Sequence, residues 1–158
     1  MTQFIVGLKS TPSGPTSSSD GNFEGTCMAT TPAVLELTKD NFVASIDGHP
    51  FAVVDFWAPW CGPCRAFAPT FAAAAGKHTD VRFAKVNTEA QQELAAHFHI
   101  RSIPTLMIFR ENIIVFAQAG ALSASALDQV IGAAKALDME EVRREASATS
   151  DQANTTSA

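Results

Sequence analysis

This sequence is short of cysteine, of positive charge and of long apolar runs, and each shortage removes a class of function. Cysteine occurs only at Cys27, Cys61 and Cys64 in 158 residues. That is too few for a disulfide scaffold of the small secreted type and suits a reducing compartment. A structural zinc site needs a second pair of ligands. Cys27 stands alone in a polar stretch, and of the four histidines only His97 and His99 lie close together, so no metal is expected. Eleven Lys and Arg against 16 Asp and Glu give a net charge of −5, which argues against nucleic acid as a partner. No apolar run is long enough to cross a bilayer. The opening MTQFIVGLKS lacks the basic and apolar regions of a secretory signal. No membrane partner is expected, and a cytoplasmic location is. A P-loop, a dinucleotide fingerprint and a Ser/His/Asp set are all missing, so no bound cofactor is expected.

Hydrophobic residues make up 46% of the chain, enough for a single globular core. Residues 51–69, FAVVDFWAPWCGPCRAFAP, organise the rest. The run from Phe51 to Trp57 is apolar, β-branched and aromatic, broken by Asp55 alone, and suits a central strand covered on both faces. Pro59, Gly62 and Pro63 then punctuate the chain. If a helix starts there, Cys61 and Cys64 share its first turn. Unpaired N–H groups and the partial positive charge of a helix N-terminus stabilise a thiolate, and the thiolate is the nucleophile of disulfide exchange. Cys61 would gain most and attack, and Cys64 would resolve the mixed disulfide. A buried, unpaired carboxylate such as Asp55 has a raised pKa and is a candidate proton acceptor; a solvent-facing acid at a strand edge is the other reading.

The remaining elements follow from periodicity and caps. Residues 1–31, rich in Ser, Thr, Gly and Pro, are expected to be a disordered extension. Cys27 falls within it as a bystander, and Met28 offers a second possible start. The domain is expected over 32–138, and 139–158 as a C-terminal tail, mostly disordered beyond a turn or two of helix. Within the domain the pattern predicts an edge strand at 34–37 and a helix at 39–46 capped by Thr38, with Phe42, Val43 and Ile46 on its inner side. It predicts a strand at 51–57, a helix at 61–77 kinked by Pro69, a strand at 81–87 and a helix at 89–97 capped by Thr88. Strands at 105–110 and 113–118 pair as a hairpin. Glu111-Asn112 is a poor two-residue turn, so a longer loop is expected there. Ser123 caps a last helix ending near Leu137, with Leu127, Val130, Ile131 and Ala134 toward the sheet. The pattern by itself says α/β.

Trp60-Cys61-Gly62-Pro63-Cys64 resembles the active-site motif of thioredoxins, and FWAPWCGPCR, FAP, VRFAKVNTEA and HIRSIPTLMIF extend the likeness from Ala33 to about Leu137. It is nearest the bacterial type that carries an N-terminal zinc ribbon, although the ribbon's Cys-x-x-Cys pairs are absent. The resemblance implies the thioredoxin fold, a central mixed sheet with helices on both faces. It implies reduction of protein disulfides by Cys61 and Cys64, with Asp55 assisting deprotonation of Cys64 and Lys85 modulating Asp55. It implies a cis bond at Ile103–Pro104, where an extended client peptide pairs beside the cysteines. Trp60, Gly62, Pro63, Ile103, Pro104, Gly120 and Ala121 would form the substrate surface, and Trp57 would face the core. His99 stands where the family commonly has a glycine suited to a left-handed C-cap. Gly62-Pro63 between the cysteines is the reductant's pair, implying a potential near about −270 mV, the value associated with thioredoxins. Electrons would come from NADPH through thioredoxin reductase, the protein working as a monomer without a cofactor of its own. An exported oxidase or isomerase is the rival within redox chemistry. A client-holding binding module that keeps the fold is the rival from another class.

Overall fold

The computed structural model describes residues 34–154, and side chains as far as residue 148. Expectations for the N-terminal extension, Cys27 and Met28 lie outside those residues. Five strands form one mixed sheet: β1 (Leu35–Leu37), β2 (Phe51–Trp57), β3 (Arg82–Asn87), β4 (Thr105–Arg110) and β5 (Ile113–Ala119). Their spatial order is β1-β3-β2-β4-β5. β3 runs parallel to both β1 and β2, while β4 is antiparallel to β2 and β5. The helices are α1 (Phe42–Asp47), α2 (Gly62–Lys77), α3 (Gln92–His97), α4 (Ala124–Ala136) and α5 (Met139–Asn154).

β2 is the middle strand, and its alternation explains the layers. Val53 faces a core built with Phe67 and Phe71 of α2 and Leu127 and Ile131 of α4. Val54 and Phe56 face the opposite core with Phe42 and Ile46 of α1 and Phe109 of β4. Every residue from Phe51 to Phe56 is buried, as a strand covered on both faces requires. By the same two-residue period, Asp55 lies on the Val53 side, under α2. The inward row of α2, Cys64, Phe67, Phe71, Ala74 and Ala75, repeats at helical spacing, so packing the aromatics also places Cys64. α2 continues through Pro69.

Several local expectations are corrected. Neither Thr38 nor Thr88 caps a helix. Asn41 Oδ1 accepts from the Thr38 N–H at 2.8 Å, closing a turn that delays α1 to Phe42. Val43 points outward at 65% exposure. Thr88 Oγ1 donates to the Trp57 carbonyl at 3.1 Å, and Asn87 Oδ1 takes the Glu89 N–H at 3.0 Å. Hydroxyl and amide groups that could cap a helix are thus drawn into strand-end turns, and α3 begins only at Gln92. The β4–β5 loop is not longer than two residues. Arg110 pairs with Ile113, and Glu111 and Asn112 both take positive φ, 49° and 68°, the type I′ geometry that follows strand twist. The Glu111 N–H donates to the Pro50 carbonyl at 3.0 Å, and its carboxylate pairs with Arg143 of α5. These contacts hold a residue that would not choose this turn. His99 does adopt the left-handed region, at φ 53°.

Leu137 leaves the helical region at φ −62°, ψ 136° and ends α4. A new helix follows where an extension of α4 by a turn or two was expected. The Asp138 side chain accepts from the Glu140 N–H at 2.9 Å at its start. One Arg110 nitrogen donates to the carbonyls of Ala134, Lys135 and Leu137, satisfying groups that the break leaves free.

The turn yields a direct test. Asn112 is exposed, so a substitution there acts through backbone conformation. Asn112→Val, β-branched at positive φ, is expected to lower stability by roughly 1–2 kcal/mol, and Asn112→Gly to leave it equal or higher. Urea denaturation of the two variants beside the parent checks this, and equal midpoints for all three would refute the turn geometry.

Candidate active site

The site lies beyond the carboxyl end of β2, where the sheet changes from parallel to antiparallel neighbours. Such switch points are where α/β sheets open a crevice. β2 ends at Trp57, and Ala58 turns the chain by accepting the Cys61 N–H at 3.2 Å. Cys61 is then the N-cap of α2, with extended backbone, and Gly62 and Pro63 open the helix. A proline belongs in that first turn because its missing N–H would be unpaired anyway. Cys61 and Cys64 are joined as a disulfide, with Cα atoms 5.3 Å apart.

The Cys64 N–H donates to Cys61 Sγ at 3.2 Å. The amide aimed at this sulfur, together with the helix N-terminus, favours negative charge on it in the dithiol form. Cys61 Sγ also lies 3.8 Å from the Ile103 carbonyl oxygen. The two cysteines pack with Ala58, Trp57 and Ile103. Cys61 is 4% exposed and Cys64 2%, so only a surface moulded to this end of the fold can reach the sulfurs. Trp60, at 67% exposure, stands on the rim; Gly62 and Pro63 are exposed beside it. The Ile103–Pro104 bond is cis. The Gly120 N–H donates to the Pro104 carbonyl at 2.8 Å, with Gly120 at φ 101°. A left-handed glycine therefore ties the end of β5 to the proline loop, with exposed Ala121 next to it.

Asp55 is 4% exposed, and its Oδ1 is buried without a hydrogen-bond partner. A cavity of about 240 Å³ brings it together with Cys64, Trp57, Arg65 and Lys85. Loss of solvent pushes the Asp55 carboxyl from 3.8 up to about 7, and the Lys85 charge opposes part of that rise. Lys85 stands directly opposite Asp55 in the β2–β3 register. Its ammonium lies 5.0 Å from the centroid of the Trp57 ring, a cation–π arrangement. Trp57 is half-buried and lines this cavity rather than lying wholly in the core.

Asp55, Trp60, Gly62, Pro63, Lys85, Ile103, Pro104, Gly120 and Ala121 thus gather at one end of the sheet, around the Cys61–Cys64 disulfide. Sequence reasoning passed over Arg65 and gave Thr88 only the role of a helix cap. Thr88 fixes the end of β2 by giving both its N–H and its hydroxyl to the Trp57 carbonyl. Arg65 did carry a signal, a cation in the first turn of a helix, where the dipole disfavours it. Among the described residues, no group of three or more His, Cys, Asp or Glu is placed to hold a metal. No described helix is long and apolar enough to cross a membrane.

The thioredoxin family model matches residues 33–133. A Streptomyces coelicolor protein assigned as thioredoxin 2 is 54% identical over 112 residues, covering 71% of this chain and 84% of the relative. A thioredoxin of Porphyra purpurea is 39% identical over 63% of this chain and 94% of its own length. Among solved structures, thioredoxin F from spinach chloroplast aligns with this chain at TM-score 0.62 and 33% identity over 67% of this chain and 89% of that one, and a thioredoxin mutant from Halobacterium salinarum aligns at TM-score 0.63 and 27% identity over 70% of this chain and 97% of that one.

The buried carboxyl has a consequence for stability. Between its unfolded value of 3.8 and its folded value of about 7, the folded state holds a proton that the unfolded state has lost. Stability therefore falls as pH rises through that window and stays reduced above it. Asp55→Asn removes the ionisation and is expected to raise stability above pH 7, by up to about 4 kcal/mol, with the difference shrinking toward pH 4. Denaturant titrations at pH 4.5 and 8 measure it. An equal difference at both pH values would show that Asp55 is not the group responsible.

Proposed function

The chain belongs to the thioredoxin family and is a protein-disulfide reductase, and from that premise we propose how its residues divide the work. The observation that carries the reading is the Cys61–Cys64 pair at the start of α2, with the Ile103 carbonyl 3.8 Å from Cys61 Sγ. In the dithiol form Cys61 is the thiolate. It attacks one sulfur of a client disulfide, that S–S bond breaks, and the departing client sulfur takes up a proton. A mixed disulfide between Cys61 and the client remains. Cys64 then gives its proton to Asp55 across the cavity they share. The Cys64 thiolate attacks Cys61 Sγ and the client's second sulfur leaves. Two electrons have passed from the cysteine pair to the client. A carboxyl near 7 can accept that proton at neutral pH, and Lys85 opposite it keeps the carboxylate form within reach.

The client backbone runs extended beside Ile103 and Pro104, in the manner of an added strand. Trp60, Gly62, Pro63, Gly120 and Ala121 supply the surface around the sulfur. Exposed apolar groups at such a rim support binding. Thioredoxin reductase, drawing on NADPH, returns the disulfide to the dithiol, and the protein acts as a cytoplasmic monomer with no cofactor bound to it.

Cys61→Ser is expected to abolish reduction of a client disulfide. Cys64→Ser is expected to accumulate the mixed disulfide, visible on a non-reducing gel. Asp55→Asn is expected to slow the resolving step at pH 6–7 by about tenfold or more. Equilibration with glutathione gives the potential of the couple. A value near about −270 mV supports the reductant, whereas one between about −180 and −120 mV would make the protein an isomerase or oxidase.

A further inference from the structure

Seven of the ten Lys and Arg side chains among the described residues are engaged. Lys39, Lys77, Lys135 and Arg143 each pair with a carboxylate. Arg82 and Arg110 donate to backbone carbonyls, and Lys85 sits against the Trp57 ring. Arg65, Arg101 and Arg144 are exposed, and their side chains form no hydrogen bond or ion pair among the described residues. Arg144 belongs to α5, whose Arg143 binds the hairpin turn at the end of the sheet away from the disulfide. The other two flank the disulfide. Arg65 follows Cys64 directly, and Arg101 lies two residues before Ile103, so its Cα is within about 7 Å of Ile103 Cα.

Neither is explained by the fold. Arg65 stands in the first turn of α2, where a cation opposes the helix dipole at a cost of about 0.3–1 kcal/mol, and no acid in that turn offsets it. Apart from the buried Asp55, whose cavity Arg65 also lines, the acids at this end of the sheet lie elsewhere. Asp40, Glu89 and Glu93 line one polar groove on the β1–β3 flank, where Lys39 meets Glu93 at 3.4 Å. β2 separates that flank from β4 and its proline loop.

We propose that Arg65 and Arg101 form a cationic clamp that favours client disulfides whose cysteine is flanked by Asp or Glu. The inference rests on the reductase reading and on peptide binding beside Ile103. In this proposal a client strand lying there brings the residues adjacent to its cysteine near the two exposed arginines, one next to Cys64 in the chain and one two residues before Ile103. The protein's net charge of −5 repels an acidic client at long range. At physiological salt charges are screened over about 8 Å, so the two local cations outweigh the distant acids once the client is near. Steering of this kind changes association rates by 10-fold or more.

Three synthetic peptides test this, each closed by one internal disulfide and identical except for Glu, Gln or Lys beside the cysteine. The second-order rate of their reduction by the dithiol protein is normalised to reduction of the same peptide by dithiothreitol. The Glu peptide is expected to react about tenfold faster than the Lys peptide at low salt, with the ratio falling toward one at 0.5 M salt. Arg65→Gln/Arg101→Gln is expected to bring the ratio within about twofold at low salt, whereas Arg144→Gln, away from the site, keeps it. Equal normalised rates for the Glu and Lys peptides with the unmodified protein would overturn the clamp, as would a ratio that survives in the double variant. Failure to reduce even the Gln peptide would instead remove the reductase reading beneath it.

Discussion

An ionisable carboxyl on the most deeply buried strand is the constraint that the rest of this structure answers. Asp55 sits between Val54 and Phe56, both fully buried, in a strand with neighbours on both sides. Burial disfavours its charge enough to move its titration to about 7. The two cores must outweigh that cost. Each large apolar side chain buried contributes roughly 1.5–3 kcal/mol, and Phe67, Phe71, Leu127 and Ile131 on one face with Phe42, Ile46 and Phe109 on the other provide several such terms. In the proposed mechanism the same burial that destabilises the carboxylate has a use, because a carboxyl titrating near 7 shares a cavity with Cys64 and takes up the proton of that thiol.

The electrostatics of the site are divided among elements that meet only in the fold. The N-terminus of α2 and the Cys64 amide favour negative charge on Cys61. Lys85, from β3, moderates Asp55 on β2, and the Trp57 ring holds the lysine. Arg65 and Arg101 are exposed, one next to Cys64 in the chain and one two residues before Ile103. Each group alone is an ordinary strand or helix residue. Their effect comes from sharing one end of the sheet, with a cavity of about 240 Å³ behind the sulfurs.

The strands and the long helices were legible because their signals are redundant. β2 has an unbroken apolar run, α2 has an inward row at helical spacing, and α4 has both that row and Ser123, whose hydroxyl accepts the Ala126 N–H at 3.2 Å. The short helices were misjudged at their starts because one polar side chain can serve a cap or a turn equally well in sequence. Asn41 and Asn87 won those contests through turn geometry. The hairpin was misjudged for another reason. Glu111-Asn112 has weak turn chemistry, but Pro50 and Arg143, distant in sequence, hold it closed. A separate α5 was hidden likewise, since the break at Leu137 is stabilised by Arg110 from another strand.

From the sequence alone came the α/β pattern, the two thiols on one helical turn, and an acid out of place in an apolar strand. Those depend on spacing along the chain, which sequence states directly. Tertiary structure decided which way Asp55 points, that Lys85 stands opposite it, that Ile103 reaches Cys61, and that Arg65 and Arg101 are left unpaired. Burial and pairing are properties of neighbours in space. A carboxylate at a solvent-facing edge and one sealed under a helix read the same until α2 is laid across β2 and water is excluded between them.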